Sequence, residues 1–176
     1  WGKSIILNSL GYEVDCIDKS NSKIIKFKEN LKRLDLNLNI QKKDFLKFTT
    51  NQSVQSILLD APCSALGTFR RNPDVASKIN QSKLKRNQKI QIQMLDKAIN
   101  ILDENGIIVY IVCSFHPFET INVIDKISQK HKNIRTLSLE SDKMIKRQNG
   151  YFINPIKFKD LGGSDIFFVS VLEKTK

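Results

Sequence analysis

The chain has 176 residues, enough for one domain with a packed core, and 40% of them are hydrophobic, a share that excludes an intrinsically disordered protein. Its apolar runs are strand-sized and no charged-then-apolar leader opens it, so neither a membrane-spanning nor an exported protein is predicted. Lys and Arg (29) outnumber Asp and Glu (18), and the net charge of +11 favours a polyanionic partner such as RNA, although an A/T-rich genome would also inflate the lysine content.

Helix and strand patterns alternate through the first third of the chain. The apolar positions Ile24, Phe27 and Leu31 recur at helical spacing after Ser20, a residue suited to cap a helix. The predicted order is a short helix at 4–10, a strand at 13–17, the helix that Ser20 caps, a weak strand at 38–42 and a buried strand at 54–59.

The remainder of the chain continues the alternation and ends in strands. The predicted order is a loop at 61–81, a long helix capped by Ser82 and ended by Asn105-Gly106, a strand at 107–112, a helix at 119–130, a mobile Lys-rich loop at 140–150, and strands at 151–154 and 166–172. This order predicts an α/β fold, with a mostly parallel sheet and an antiparallel edge made by the C-terminal strands.

Three widely spaced cysteines predict reduced thiols in a cytoplasmic protein, not a disulfide framework. Cys16 lies within a strand and is predicted to pack in the core, whereas Cys63 and Cys113 follow the ends of two hydrophobic strands. Because strand ends of an open α/β sheet meet at the edge where ligands bind, these two thiols, Asp60 and the Arg70-Arg71 pair are predicted to share one pocket. That combination suits covalent chemistry on a nucleic-acid base.

Residues near the first thiol and at earlier strand ends are further candidates. Pro62 fixes the backbone ahead of Cys63 and presents the thiol near the strand tip. Asp18 closes the first predicted strand, where a carboxylate can hold two ribose hydroxyls, and Asp44 occupies the position that can contact adenine in a nucleoside site. An ordinary turn-capping role explains Asp18 equally well. For Asp44, an ordinary loop aspartate is the better explanation.

Three segments resemble motifs of the Sun family of RNA cytosine-5 methyltransferases, and the similarity runs over essentially the whole chain. The most specific is the segment 60–74, DAPCSALGTFRRNPD, which looks like the family's signature. Segment 109–114, VYIVCS, looks like its second cysteine motif, and segment 163–168, GSDIFF, resembles its closing strand, although a Gly is usual at the position of Ile166.

The resemblance implies a Rossmann-like class I methyltransferase sheet, S-adenosylmethionine as cofactor and RNA, in particular ribosomal RNA, as partner. It implies that Cys113 is the nucleophile and that Cys63 assists product release. The implied binding residues are Asp60 for the target base or the methyl donor, Asp18 for the donor ribose, Asp44 for its adenine, Gly2 and Lys3 for the end of the donor loop, and Arg70 and Arg71 for RNA phosphates.

Residue 1 is Trp, and it stands where the family has a glycine of the donor loop. The first strand of the family's sheet and most of that loop would precede it. Residues 1–176 are therefore predicted to be a partial methyltransferase catalytic domain with its first strand missing.

The residues alone leave open which thiol attacks and which class of protein this is. Spacing alone does not decide which thiol attacks, because DNA cytosine-5 enzymes use a cysteine after proline, which favours Cys63, whereas the Sun resemblance favours Cys113. Gly2-Lys3-Ser4 followed by a strand ending at Asp60 also fits a nucleotide triphosphatase with a phosphate loop. A non-catalytic RNA-binding module would explain the basic charge without using the cysteines.

Overall fold

The computed structural model describes residues 2–176, so the predictions that concern Trp1 lie outside the described residues. The chain divides into two compact units, the first ending at Thr50 and the second running from Asn51 to Lys176. Each unit has its own β-sheet. That residues 1–176 make up one partial catalytic domain stays a prediction.

The first unit is built around a pair of parallel strands. Its elements are α1 (Gly2–Ser9), β1 (Asp15–Asp18), α2 (Asn21–Arg33), β2 (Asn39–Lys42) and a 3₁₀ turn at Phe45–Lys47. Ser20 caps α2 as predicted, accepting a hydrogen bond from the Lys23 backbone N–H. Cys16 is 5% exposed and packs with Phe27, Leu31 and Leu38, which confirms its predicted place in the core.

The second unit is a six-stranded sheet with two α-helices. Its elements are β3 (Ser56–Asp60), α3 (Gln81–Ile101), β4 (Ile107–Val112), α4 (Ile121–Lys130), β5 (Ile134–Thr136), β6 (Met144–Arg147), β7 (Gly150–Ile153) and β8 (Phe168–Lys174). The strand order is β3-β4-β8-β7-β6, and β5 also pairs with β8. β3 and β4 are parallel, whereas the C-terminal strands pair antiparallel, so the predicted α/β fold with an antiparallel C-terminal edge is confirmed.

β4 is the strand that positions the site. It is hydrogen-bonded to β3 on one side and to β8 on the other. Ile108, Tyr110 and Val112 alternate along one face of β4 and are completely buried. The residues that follow β4 therefore begin at the end of a strand that is hydrogen-bonded along both of its edges.

Among residues 2–176, the structure has no helix that is both long and apolar enough to span a membrane.

Several local predictions differ from the structure: the short strand β5 was not predicted, and α3 ends at Ile101, before Asn105-Gly106. Asn80, not Ser82, caps α3, because its side chain accepts the Lys83 N–H at 2.8 Å. The predicted loop at 61–81 contains 3₁₀ turns at Leu66–Thr68 and Pro73–Lys78. The mobile loop predicted at 140–150 is wrong for β6, which forms a hairpin with β7. β6 is short and mostly exposed, so its residue pattern gave only a weak strand signal, and its hydrogen bonds come from the hairpin with β7.

Candidate active site

The two strand-end cysteines lie in contact. In the parallel pair β3–β4, Asp60 stands opposite Ile111, so both strands end at the same level of the sheet. Cys63 and Cys113 follow these ends, and their Sγ atoms are 3.3 Å apart. The structure thus brings together the two thiols that the strand-end pattern places at one edge, and both side chains are partly buried.

Two hydrogen bonds to its backbone hold the loop that carries Cys63 in place. The Ala61 N–H donates to the Ile111 carbonyl at 3.2 Å, and Gln91 Nε2 on α3 donates to the Pro62 carbonyl at 2.8 Å. Ala65 then adopts a left-handed conformation, with φ of +63°, and turns the chain into the following 3₁₀ turn. The thiol is therefore presented by a constrained turn and not by a flexible segment.

Gly67 joins the two cysteine loops. Its N–H donates to the Cys113 carbonyl at 3.0 Å, and its carbonyl accepts the Ile166 N–H at 2.9 Å. A Cβ at this position would overlap the Ile166 carbonyl oxygen. The close approach of three backbone segments therefore requires glycine here.

Glu119 is a buried acidic residue. The sequence pattern predicts it only as the first residue of a helix. It is completely buried, in the 3₁₀ turn before α4. One carboxyl oxygen accepts hydrogen bonds from the Ser64 N–H and from Asn87 Nδ2, both at 2.8 Å, and the other accepts from Ser64 Oγ at 2.5 Å. Ser64 Oγ also lies 3.3 Å from Ser114 Oγ, so this network links the residues that follow both cysteines.

The pKa of the Cys63 thiol is raised well above its ordinary value, first by its hydrogen bond with Cys113 and then by burial. Cys63 is therefore a protonated thiol at neutral pH. Burial also raises the pKa of Tyr110, whose hydroxyl donates to the Glu119 carbonyl at 2.8 Å and fixes that turn. A protonated thiol in contact with a second sulfur can exchange a proton with it.

The sulfur contact predicts a disulfide on mild oxidation. With hydrogen peroxide, the Cys63 and Cys113 thiols should form one S–S bond and release water, since an approach of little more than 1 Å brings the sulfurs to bonding distance. Peptide mass spectrometry should show a Cys63–Cys113 cross-link, reversed by dithiothreitol, with buried Cys16 unmodified as the internal control. Stable sulfenic acid on either residue without a cross-link would contradict this geometry.

The predicted RNA-binding arginines follow the Cys63 loop. Arg71 Nε lies 3.0 Å from each carboxyl oxygen of Asp165, and its side chain is 58% exposed. The hydrogen bonds from Arg71 hold the pKa of Asp165 below its usual range. Arg70 is exposed, and so is Asp60 at the end of β3. Asp165 is a partner that the sequence did not indicate, because the two residues are 94 positions apart.

The residues of the first unit that are predicted to bind the methyl donor lie at or near the ends of its strands and the start of its first helix. Asp18 ends β1, and its Oδ1 accepts the Ser20 N–H at 2.7 Å. Asp44 follows the adjacent parallel strand β2, and its Oδ1 accepts the Leu46 N–H at 3.1 Å. Gly2 and Lys3 are the first residues of α1. Both carboxyl groups thus cap the turns that follow their strands, as the alternative interpretation expects, and their binding of the methyl donor stays a prediction.

The fold and this strand-end site define a Rossmann-like methyltransferase domain. The NSun6 structure from Pyrococcus horikoshii with SFG is similar at 26% identity and a TM-score of 0.77, over 93% of this chain and 42% of that one. A methyltransferase homolog from the same organism has the same fold, with 24% identity and a TM-score of 0.72, over 90% of this chain and 52% of that one.

The profile described as 16S rRNA methyltransferase RsmB/F matches residues 4–173, and the chain belongs to this family. The predicted family is thereby confirmed. Ribosomal RNA small subunit methyltransferase B of Photorhabdus laumondii is 31% identical over 165 residues. That match covers 92% of this chain and 37% of the relative, so the chain spans less than half the length of this relative.

Proposed function

We propose that this chain is the catalytic part of an S-adenosylmethionine-dependent methyltransferase that acts on C5 of a cytosine in ribosomal RNA. The observation that carries the proposal is the 3.3 Å contact between Cys63 Sγ and Cys113 Sγ at the ends of adjacent parallel strands. Membership of the RsmB/F family supports methyl transfer to rRNA and favours this reaction over a nucleotide triphosphatase or a non-catalytic module. The basic charge of +11 suits an RNA partner.

The chemistry explains why a thiol is needed. C5 of cytosine is a weak nucleophile, but addition of the Cys113 thiolate to C6 moves an electron pair to C5. S-adenosylmethionine, when bound, would supply an electrophilic methyl group to that carbon, and S-adenosylhomocysteine would leave with the electron pair of the broken S–CH3 bond. A base then removes the C5 proton, the C6–S bond breaks, and the thiolate leaves with the bond's electron pair. Covalent catalysis thus divides one difficult substitution into easier steps.

The two cysteines have different roles in this proposal. Cys113 attacks, following the family resemblance. Cys63 stays protonated, because its contact with Cys113 and its burial raise its pKa, so it can hold or donate a proton at the Cys113 sulfur. A proton delivered to the departing sulfur favours release of the methylated base.

The remaining candidates bind and orient the reactants. In the first unit, Asp18 would accept the donor's ribose hydroxyls and Asp44 its adenine amino group, and both residues lie where parallel strands end. Gly2 and Lys3 would form the end of the donor loop. In the second unit, Asp60 would contact the target base or the donor. Exposed Arg70 and Arg71 would contact RNA phosphates and position the strand without reading its sequence.

The test is methyl transfer by the intact protein from S-adenosylmethionine carrying a labelled methyl group. Deproteinised small-subunit rRNA is the substrate, because the target base must leave its stack and unpaired RNA makes that easier. After nuclease digestion, the label is expected in 5-methylcytidine. Label in another nucleoside would contradict the C5 assignment, and absence of transfer to any RNA would contradict the proposed activity.

A further inference from the structure

An apolar cleft of about 250 Å³ opens beside the second cysteine loop. Its lining is mainly apolar with one cation. We call it the Phe115 cleft, and its lining residues are Phe115, Ile145, Arg147, Phe152, Ile153, Pro155 and Ile166. Two of these apolar side chains are unusually exposed, Phe115 at 46% and Ile145 at 38%. Drug-sized ligands occupy pockets of roughly 300–1,000 Å³, so this smaller cleft suits a single ring system.

The shape of the cleft follows from the β6–β7 hairpin. Ile145 and Arg147 are two residues apart on β6 and therefore lie on the same face of the hairpin. Phe152 stands opposite Ile145 on β7 and packs against buried Phe168, with ring centroids 5.1 Å apart. Phe152 in the lining is thus held by the core of the sheet, while Phe115 is open to solvent.

The cleft lies near Cys113 along the chain and through backbone hydrogen bonds. Phe115 is two residues beyond Cys113. Ile166, also in the lining, donates its N–H to Gly67, and Gly67 in turn donates to the Cys113 carbonyl. Two residues span at most about 7 Å, so a nucleotide next to a base at Cys113 can reach this cleft. Two arginines are available to its phosphate: Arg147 is in the lining, and Arg71 is held by Asp165, the residue before Ile166.

We propose that the Phe115 cleft binds the unpaired base of a nucleotide next to the target cytosine, stacked on the Phe115 ring, with Arg147 toward the adjoining phosphate. Base stacking on an exposed aromatic ring is the usual way in which proteins hold single-stranded RNA. The cation in the lining and the short chain distance between Phe115 and Cys113 favour RNA over an apolar protein segment as the occupant. The inference rests on the proposed function, since it names a further part of the same substrate.

The test measures affinity and not catalysis. Fluorescence anisotropy would compare two labelled single-stranded RNAs, one with a cytosine between adenines and one with those adenines replaced by abasic sites. The wild-type protein and Phe115→Tyr, which keeps the ring, are expected to prefer the intact RNA by about ten-fold. Phe115→Ala is expected to bind both RNAs equally. Its exposed position allows the variant to fold, and circular dichroism verifies that.

The matched control is Tyr12→Ala, which removes an aromatic ring that is 60% exposed in the first unit and should keep the ten-fold preference. The inference is overturned if Phe115→Ala retains the wild-type preference, or if the wild-type protein binds neither RNA. It is also overturned if Phe115→Ala changes only self-association, because the cleft then binds protein. If the wild type discriminates through Phe115 but transfers no methyl group, the base contact stands and the proposed function fails.

Discussion

Replacing Cys113 with Ala is expected to abolish methyl transfer to RNA in the intact protein. Without the thiolate, C6 receives no nucleophile and C5 does not acquire the electron pair that attacks the methyl group. This variant loses the hydrogen bond with Cys113 that contributes most to the raised pKa of Cys63, but burial still raises that pKa, so the Cys63 thiol stays protonated and does not compensate. We expect the rate to fall by about four orders of magnitude or more, which is about 5 kcal/mol of activation free energy, measured as labelled methyl incorporation.

Replacing Cys63 with Ala is expected to produce the opposite signature, a covalent protein–RNA adduct that accumulates. Addition and methyl transfer need Cys113, whereas release of the product loses the proton donor beside its sulfur. Denaturing gel electrophoresis should therefore show a slower band that contains both RNA and protein. The double variant that lacks Cys63 and Cys113 should show no such band.

Cys16→Ala is the matched control for both cysteine variants. Cys16 is a buried core residue of the first unit, and its removal should leave methyl transfer intact and trap no adduct. If the adduct is lost in Cys63→Ala but retained in Cys113→Ala, the two roles are reversed. That result would restore the reading in which the cysteine after proline attacks.

The Glu119→Ala variant is expected to lose about 3 kcal/mol of unfolding free energy, because it leaves buried donors of Ser64 and Asn87 without an acceptor. Chemical denaturation followed by circular dichroism measures the loss. Glu119→Gln, which keeps one acceptor oxygen, is expected to lose less. In both variants the Cys63–Cys113 disulfide should form more slowly under peroxide, because the network that links the two loops is weakened.

Glu140→Ala provides the control for the loss of an acidic side chain. Glu140 is exposed, so its replacement should change stability by no more than about 0.5 kcal/mol and leave disulfide formation unchanged. Equal stability of Glu119→Ala and wild type would contradict the role assigned to the buried network. A destabilised Glu119→Ala protein that still forms the disulfide at the wild-type rate would limit Glu119 to a structural role.

Much of the fold and the position of the two thiols can be predicted from the local pattern of residues. Hydrophobic runs at 54–59 and 107–112 predicted the two strands, and the residues after them predicted where the thiols would lie, because a strand's direction places its end. Cys16 within a strand predicted core packing. These inferences succeeded because hydrophobic periodicity and strand direction are local properties of the chain.

Other features depended on tertiary structure. The strand β6 was predicted as a loop, because it is short and mostly exposed and only its hairpin with β7 supplies its backbone hydrogen bonds. Glu119 appeared to begin a helix, yet it is buried beneath the Cys63 loop with Ser64 and Asn87, residues 55 and 32 positions away.

The sequence by itself determined the family, the α/β order of elements and the pair of cysteines at strand ends. Only the tertiary structure decided that their sulfurs touch, that Asp165 holds Arg71 and that Phe115 borders a cleft. The physical reason is that these are contacts between side chains from distant segments. Their distances depend on how strands pair and loops pack, which no local pattern of residues encodes.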